Sequence, residues 1–135
     1  GLQKRLTFLN AVLEELGLDA ETVHLRAEDG GKNPQYREQY DIACARAVAA
    51  LPVLSEYCIP FVKVGGQFVA MKGASAAEEA TVSEGAYKIL GCEKPTIICE
   101  SLRENEARAF IVAKKISQTP PKYPRISAKI SKQPL

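Results

Sequence analysis

Apolar positions in the first sixteen residues recur with helical spacing. Leu6, Phe8, Leu9, Val12, Leu13 and Leu16 share one face of a helix over Lys4 to Leu16, and Gly17 is a plausible stop. The period then shortens. Thr22 to Leu25 reads as a short strand, Arg26 to Pro34 as a polar loop with Gly30 and Gly31, and Pro34 to Gln39 as a short helix or turn. Tyr40 to Ala45 is an apolar strand that runs into a helical segment, Leu51 to Val62. Pro52 is tolerated in its first turn, and Pro60 bends or ends it. Gly65 and Gly66 make a turn into the strand Gln67 to Met71, which Lys72-Gly73 closes. Ala76 to Leu90 is a second amphipathic helix, ended by Gly91. Cys92 to Leu102 and Ala109 to Ile116 read as strands on either side of a charged turn, Arg103 to Ala107.

Helix and strand alternate, which calls for a mostly parallel sheet with crossover helices. The last two strands lie too close in sequence for a crossover, so they pair antiparallel. A parallel sheet that ends in an antiparallel strand is the pattern of the class I methyltransferase (Rossmann-like) α/β fold. No G-x-G-x-G or G-x-G-x-x-G turn occurs among the 135 residues, and no internal repeat is present.

A chain of this length makes one domain, and its apolar and charged fractions, 46% and 25%, are ordinary for a globular protein. No apolar run approaches the roughly 18 residues of a membrane span. Gly1-Leu2-Gln3-Lys4-Arg5 leads into an amphipathic segment rather than a secretory core. The four cysteines, Cys44, Cys58, Cys92 and Cys99, form no C-x-x-C pair, and His24 has no ligand-like neighbours, so no metal site is expected. Reduced, buried thiols in a cytoplasmic protein are the default reading, with Cys44 and Cys99 acting as small hydrophobes in their strands.

Charge is distributed unevenly. Residues 1–113 carry twelve Lys/Arg against sixteen Asp/Glu; residues 114–135 carry six basic residues and no acid. A basic, proline-containing tail on an acidic body suits a polyanionic partner; prolines stiffen a strand that tracks phosphates, and Tyr123 can stack on a base. A disordered solubilising tail is the plain alternative. Arg46 stands at the strand–helix junction within an apolar run. The carboxyl ends of parallel strands are where ligands bind, and an arginine there wants an anion. Pairing with a nearby carboxylate such as Asp41 is the local alternative.

Five stretches carry a family resemblance: Lys4-Arg5-Leu6-Thr7-Phe8-Leu9, Arg26-Ala27-Glu28-Asp29, Ala45-Arg46-Ala47-Val48-Ala49 with Leu51-Pro52-Val53-Leu54, Gly65-Gly66-Gln67-Phe68-Val69-Ala70-Met71-Lys72-Gly73, and Thr119-Pro120-Pro121-Lys122-Tyr123-Pro124-Arg125. In this order they resemble the C-terminal two-thirds of the bacterial small-subunit rRNA guanine-N7 methyltransferase family, glucose-inhibited division protein B. The resemblance implies a methyltransferase domain over 1–116 that lacks its first strands and glycine-rich loop, and a basic tail over 117–135. Ile126-Ser127-Ala128-Lys129-Ile130 replaces the family's K-P-G-T-P type continuation.

The activity so implied is transfer of a methyl group from S-adenosylmethionine to N7 of a guanine in 16S rRNA, on free RNA or on the small-subunit particle. N7 of neutral guanine already has a free lone pair, so alignment, not a general base, is what catalysis needs. The resemblance places Ala27 and Glu28 by the adenine of the cofactor and Arg46 by its methionine carboxylate or an RNA phosphate. It makes Lys72 the active-site lysine, directed at guanine O6 or a phosphate. Lys122, Tyr123 and Arg125 become RNA contacts of the tail. Tyr36 and Arg37 could extend that surface, and His24 is structural. Two other readings compete: a non-catalytic RNA- or ribosome-binding module on the same fold, and a Rossmann-like enzyme of small molecules, which would not need the tail. With its first strands missing, the sheet should have a gap between the Thr22 and Tyr40 strands. That would expose apolar faces, lower stability or drive self-association.

Overall fold

The structure, a computed structural model, describes residues 1–101 and 107–135. Helix α1 (Leu2–Leu16) leads through an extended segment to a single helical turn, α2 (Ala27–Gly30), then β1 (Tyr40–Arg46) and α3 (Leu51–Cys58). A 3-10 turn (Ile59–Phe61) delivers the chain to β2 (Val62–Lys72), which is followed by α4 (Ala76–Val82), α5 (Glu84–Leu90), β3 (Thr96–Ser101), β4 (Ala107–Lys114) and α6 (Ser127–Lys132). The four strands form one sheet in the order β1-β2-β4-β3. β1 and β2 are parallel and joined by α3 as a crossover; β4 is antiparallel to both β2 and β3. The α/β class and the antiparallel last strand are as the sequence pattern predicts.

One face of the sheet holds the core. Along β2 the inward positions Phe68 and Ala70 alternate with outward ones; along β4 Ala109, Ile111 and Ala113 do the same. Register sets large against small: Phe68 lies opposite Ala43 and Ala113, and Ala70 opposite Ala45 and Ile111. The alanines leave room for Leu51 and Leu54 of α3 and for Tyr87 and Leu90 of α5, all fully or almost fully buried. The Phe68 and Tyr87 rings sit 6.3 Å apart, tilted.

Several elements depart from the sequence reading. Thr22 to Leu25 forms no strand. It has no neighbouring strand to bond, and Val23 and Leu25 remain exposed. The loop expected over Arg26 to Pro34 contains α2, in which Gly30 N donates to Arg26 O and Gly31 N to Ala27 O. Gly65-Gly66 is a bulge inside β2 rather than a turn before it. The register passes from Tyr40 opposite Val62 to Ile42 opposite Gln67, Gly65 has φ +89°, and a Cβ on Gly66 would lie 2.5 Å from Asp41 O. The single helix expected over Ala76 to Leu90 breaks at Ser83, whose hydroxyl donates to Glu79 O at 2.6 Å and so competes with the helical ladder. Gly91 closes α5 at φ +97°, as expected. Cys92 makes only an isolated bridge to Lys115, and β3 starts at Thr96, beyond Pro95, which has no N–H for a ladder. Leu102 and most of the turn expected over Arg103 to Ala107 lie outside the described residues.

The cysteine reading divides. Cys92 is buried and Cys58 partly so, but Cys44 and Cys99 are exposed. Cys44 points to the uncovered face of β1, and Cys99 lies on the outer strand β3. That face is apolar: Ile42, Val69, Met71, Phe110, Val112 and Ile98 alternate onto it, with Ile42 59% and Ile98 47% exposed. The apolar stripe of α1 is likewise uncovered, and no residue of that helix is buried.

The tail is the largest departure. It docks on the body. Arg37 donates Nη1 to Gly31 O (2.8 Å) and Tyr123 O (2.7 Å), and Nη2 to Thr119 O (2.7 Å) and Pro120 O (3.3 Å). Fully buried Glu56 accepts from the Arg125 backbone N (2.8 Å), Nε (2.9 Å) and Nη2 (2.7 Å). Ile130 of α6 is fully buried. Arg125→Ala strands the Glu56 carboxylate without a counter-charge, so the urea midpoint should fall by an amount equivalent to about 3 kcal/mol. The open sheet face and α1 stripe should make the 135-residue chain associate with concentration, as sedimentation velocity would show; a monodisperse monomer across the concentration series would contradict this.

Candidate functional site

The strongest site lies at the carboxyl ends of β1 and β2. β1 ends in Arg46, and Ala47 follows at φ +53°, an uncommon conformation for a residue with a Cβ, which turns the chain sharply toward α3. β2 ends beside it in Lys72-Gly73. A cleft of about 670 Å³ opens there, with Arg46, Met71, Lys72, Glu100, Arg108 and Phe110 among its lining. Arg46 pairs in register with Met71, on the uncovered face, whereas Lys72 alternates onto the core face. Both residues line the cleft, with their side chains directed to opposite faces of the sheet.

Lys72 is held in place. Its ammonium donates to Ala49 O at 2.9 Å and is 2.8 Å from Glu79 Oε2, and its side chain is 13% exposed. Ser75 Oγ donates to the other carboxylate oxygen of Glu79 at 3.0 Å. Partial burial pushes the Glu79 carboxyl up, but the hydrogen bonds from Lys72 and Ser75 outweigh it and leave Glu79 below its ordinary value. Arg46 behaves differently. Asp41, the carboxylate it might have paired with locally, is instead bonded by Lys63 at the start of the sheet. Arg46 is exposed and forms no ion pair among the described residues.

The other candidate residues fall elsewhere. Ala27 and Glu28 occupy the first turn of α2 and line no part of this cleft; Glu28 is 4.0 Å from Arg26. The turn after them is packed tightly, Gly30 against Leu25 and Phe61, Gly31 against Pro60 and Pro124. Tyr123 is 7% exposed, its ring flanked by Lys122 Nζ at 5.2 Å and Arg125 Cζ at 5.8 Å. A covered ring has no face to offer a base, and Arg125 is committed to Glu56, whose carboxylate holds the guanidinium more firmly protonated. In this arrangement Tyr123 and Arg125 anchor the tail, and Lys122 remains on the surface. Arg37 is a clamp on tail carbonyls rather than a surface cation.

Glu79, Glu100 and Arg108 complete the site and were not singled out from the sequence. Glu79 left a faint signal: it shares a helix face with Ala76, Ala80 and Ser83, all of which pack inward. Among the described residues no group of three or more His, Cys, Asp or Glu is placed to hold a metal, and no helix is long and apolar enough to cross a membrane.

Four strands with a crossover helix and an antiparallel insertion are part of a Rossmann-like methyltransferase fold. Residues 1–108 match the family described as GidB, rRNA small subunit methyltransferase G, and the chain belongs to that family. Among its relatives, the protein named ribosomal RNA small subunit methyltransferase G from Acetivibrio thermocellus is 57% identical, over 99% of this chain and 56% of its own length. Proteins of the same name from Lactobacillus acidophilus and Clostridium botulinum are 48% and 46% identical, each over 99% of this chain and 57% of their own length. The chain thus spans a little over half the length of the curated relatives it matches.

Two measurements check this chemistry. Glu79 has a folded pKa below 4.5, so its contribution to stability should be complete above that value and vanish as pH falls through the lowered one. Glu79→Gln should flatten the acid limb of the urea midpoint as pH falls below about 5. Burial raises the Cys58 thiol to about 12 and the Cys92 thiol to about 11. A thiol reagent at neutral pH should therefore label Cys44 and Cys99 quickly, and Cys58 and Cys92 only as the chain opens.

Proposed function

We propose that this chain forms the catalytic-cleft part of an enzyme that methylates N7 of a guanine in 16S rRNA, using S-adenosylmethionine. One observation carries the reading: Arg46 and Lys72, the two cations that the family resemblance assigns to the reaction, line one cleft at the carboxyl ends of parallel strands. The names of the relatives support rRNA as the substrate class.

The residues present fit part of the methyl donor. The exposed Arg46 guanidinium, without an ion pair among the described residues, is a fork suited to a carboxylate such as that of a methionine moiety, or to an RNA phosphate. Ala27 and Glu28 are assigned to the adenine by resemblance alone, from outside this cleft. When bound, the donor would supply a methyl group on a sulfonium, which the guanine N7 lone pair would take while sulfur kept the electrons of the broken bond. No proton moves in this step, which fits a cleft with no Ser/His pair. The purine gains positive charge as it reacts. A bare ammonium against N7 would oppose that, so Lys72 serves better as a donor to guanine O6 or to a phosphate.

Lys122 and the exposed lysines of the tail would meet the RNA backbone, with Tyr123 and Arg125 acting through the docked shape of the tail. An rRNA substrate would place the enzyme in the cytoplasm.

Calorimetric titration with S-adenosylhomocysteine tests the reading, run on this chain and on a complete enzyme that includes it, beside transfer of labelled methyl groups to small-subunit rRNA. The complete enzyme should bind and turn over, and Arg46→Ala should weaken its binding by about tenfold, as expected for one charged hydrogen bond. Salt-dependent RNA binding with neither S-adenosylhomocysteine affinity nor turnover would favour the non-catalytic RNA-binding module instead.

A further inference from the structure

We propose that Glu79 is a positioning residue for the methyl transfer: by holding Lys72 it offsets the lysine's charge and leaves one N–H to point into the cleft. This rests on the methyltransferase reading above. An ammonium has three N–H donors. Lys72 spends one on Ala49 O, where the chain leaves β1 for α3, and a second on Glu79 of α4. Glu79 is fixed in turn by Ser75 at the start of its helix. Two partners from separate segments therefore converge on one nitrogen at the end of β2, and Lys72, though its side chain is mostly buried, is among the residues that line the cleft.

Two consequences follow for the chemistry. A lysine free to rotate would present its donors over a wide arc; one tethered at two points presents a single donor in a set direction, which is what alignment of a flat base requires. The second concerns charge. Guanine becomes cationic as N7 is methylated, so an unneutralised ammonium at hydrogen-bond distance would raise the barrier. The Lys72–Glu79 pair carries no net charge and keeps the donor. Glu79 also removes one unit of attraction for RNA from the cleft rim, so its loss should affect binding and chemistry in opposite directions.

The test is steady-state kinetics of the complete enzyme with Glu79→Gln, Glu79→Asp and Ser75→Ala, with Tm measured beside them. For Glu79→Gln we expect kcat to fall about tenfold or more while KM for RNA holds or improves. Glu79→Asp should recover part of kcat, and Ser75→Ala, which loosens Glu79 without removing its charge, should lose less than Glu79→Gln. An unchanged kcat overturns the proposal. So does a joint loss of kcat, RNA affinity and Tm, which would mark a structural role only. A second readout needs no activity: amine acetylation of this chain followed by mass spectrometry, with exposed Lys88 as the internal reference. Glu79→Gln should raise the Lys72 rate several-fold against Lys88; equal rates would overturn the tether. A wild-type enzyme that transfers no methyl group would defeat the functional reading itself, a result distinct from an active enzyme indifferent to Glu79.

Discussion

The buried ammonium of Lys115 is the point on which the amino-end half of the structure hangs. The side chain has no solvent contact, and Nζ reaches Val62 O (2.7 Å), Ile59 O (3.2 Å) and Glu38 Oε1 (2.7 Å). Those partners belong to the first residue of β2, the turn before it and the loop before β1. Burial pulls the lysine below its ordinary pKa, and the Glu38 carboxylate opposes that pull. Its backbone extends the same lock: Lys115 N donates to Gly66 O, and Lys115 O accepts from Gly65 N, across the bulge that sets the β1–β2 register. Glu38 sits at φ +53° and also accepts from Thr119 N, so one carboxylate joins the sheet to the tail. Such a cluster fixes geometry because each partner would leave a buried polar group unsatisfied if it moved.

The same logic governs the tail. The six basic residues of positions 114–135 do not all face outward. Lys115 and Arg125 are consumed inside, one against Glu38 and the other against Glu56. Lys114, Lys122, Lys129 and Lys132 remain exposed. A segment that composition marks as a polyelectrolyte is thereby a docked strap, with an internal half that holds it and an external half of exposed lysines. Arg37 makes the strap specific, because four carbonyls in one plane of donors can be met only by a chain of fixed shape.

At the opposite end of the sheet the structure is less closed. Arg46 and Lys72 both line the cleft, the first without an ion pair among the described residues and the second tethered to Ala49 and Glu79. The apolar outer face, the unpaired edge of β1 and the exposed stripe of α1 all lie without cover.

Periodicity carried α1, α3, the helical character of Ala76 to Leu90, β1, the second half of β2, β4 and the antiparallel ending, because the 2.0 and 3.6 periods of burial are written directly in the order of residues. Position at a strand end singled out Arg46, and family resemblance singled out Lys72; the structure puts both at the carboxyl ends of β1 and β2. Other features depended on partners distant in the chain. Thr22 to Leu25 has the composition of a strand, but a strand exists only when another bonds to it. Tyr123 and Arg125 look like RNA contacts until Glu56, a helix residue 69 positions away, takes up the guanidinium. Glu79 and Lys115 were unremarkable as letters. Burial and the hydrogen bonds of residues that only the folded chain brings near them decided what they do.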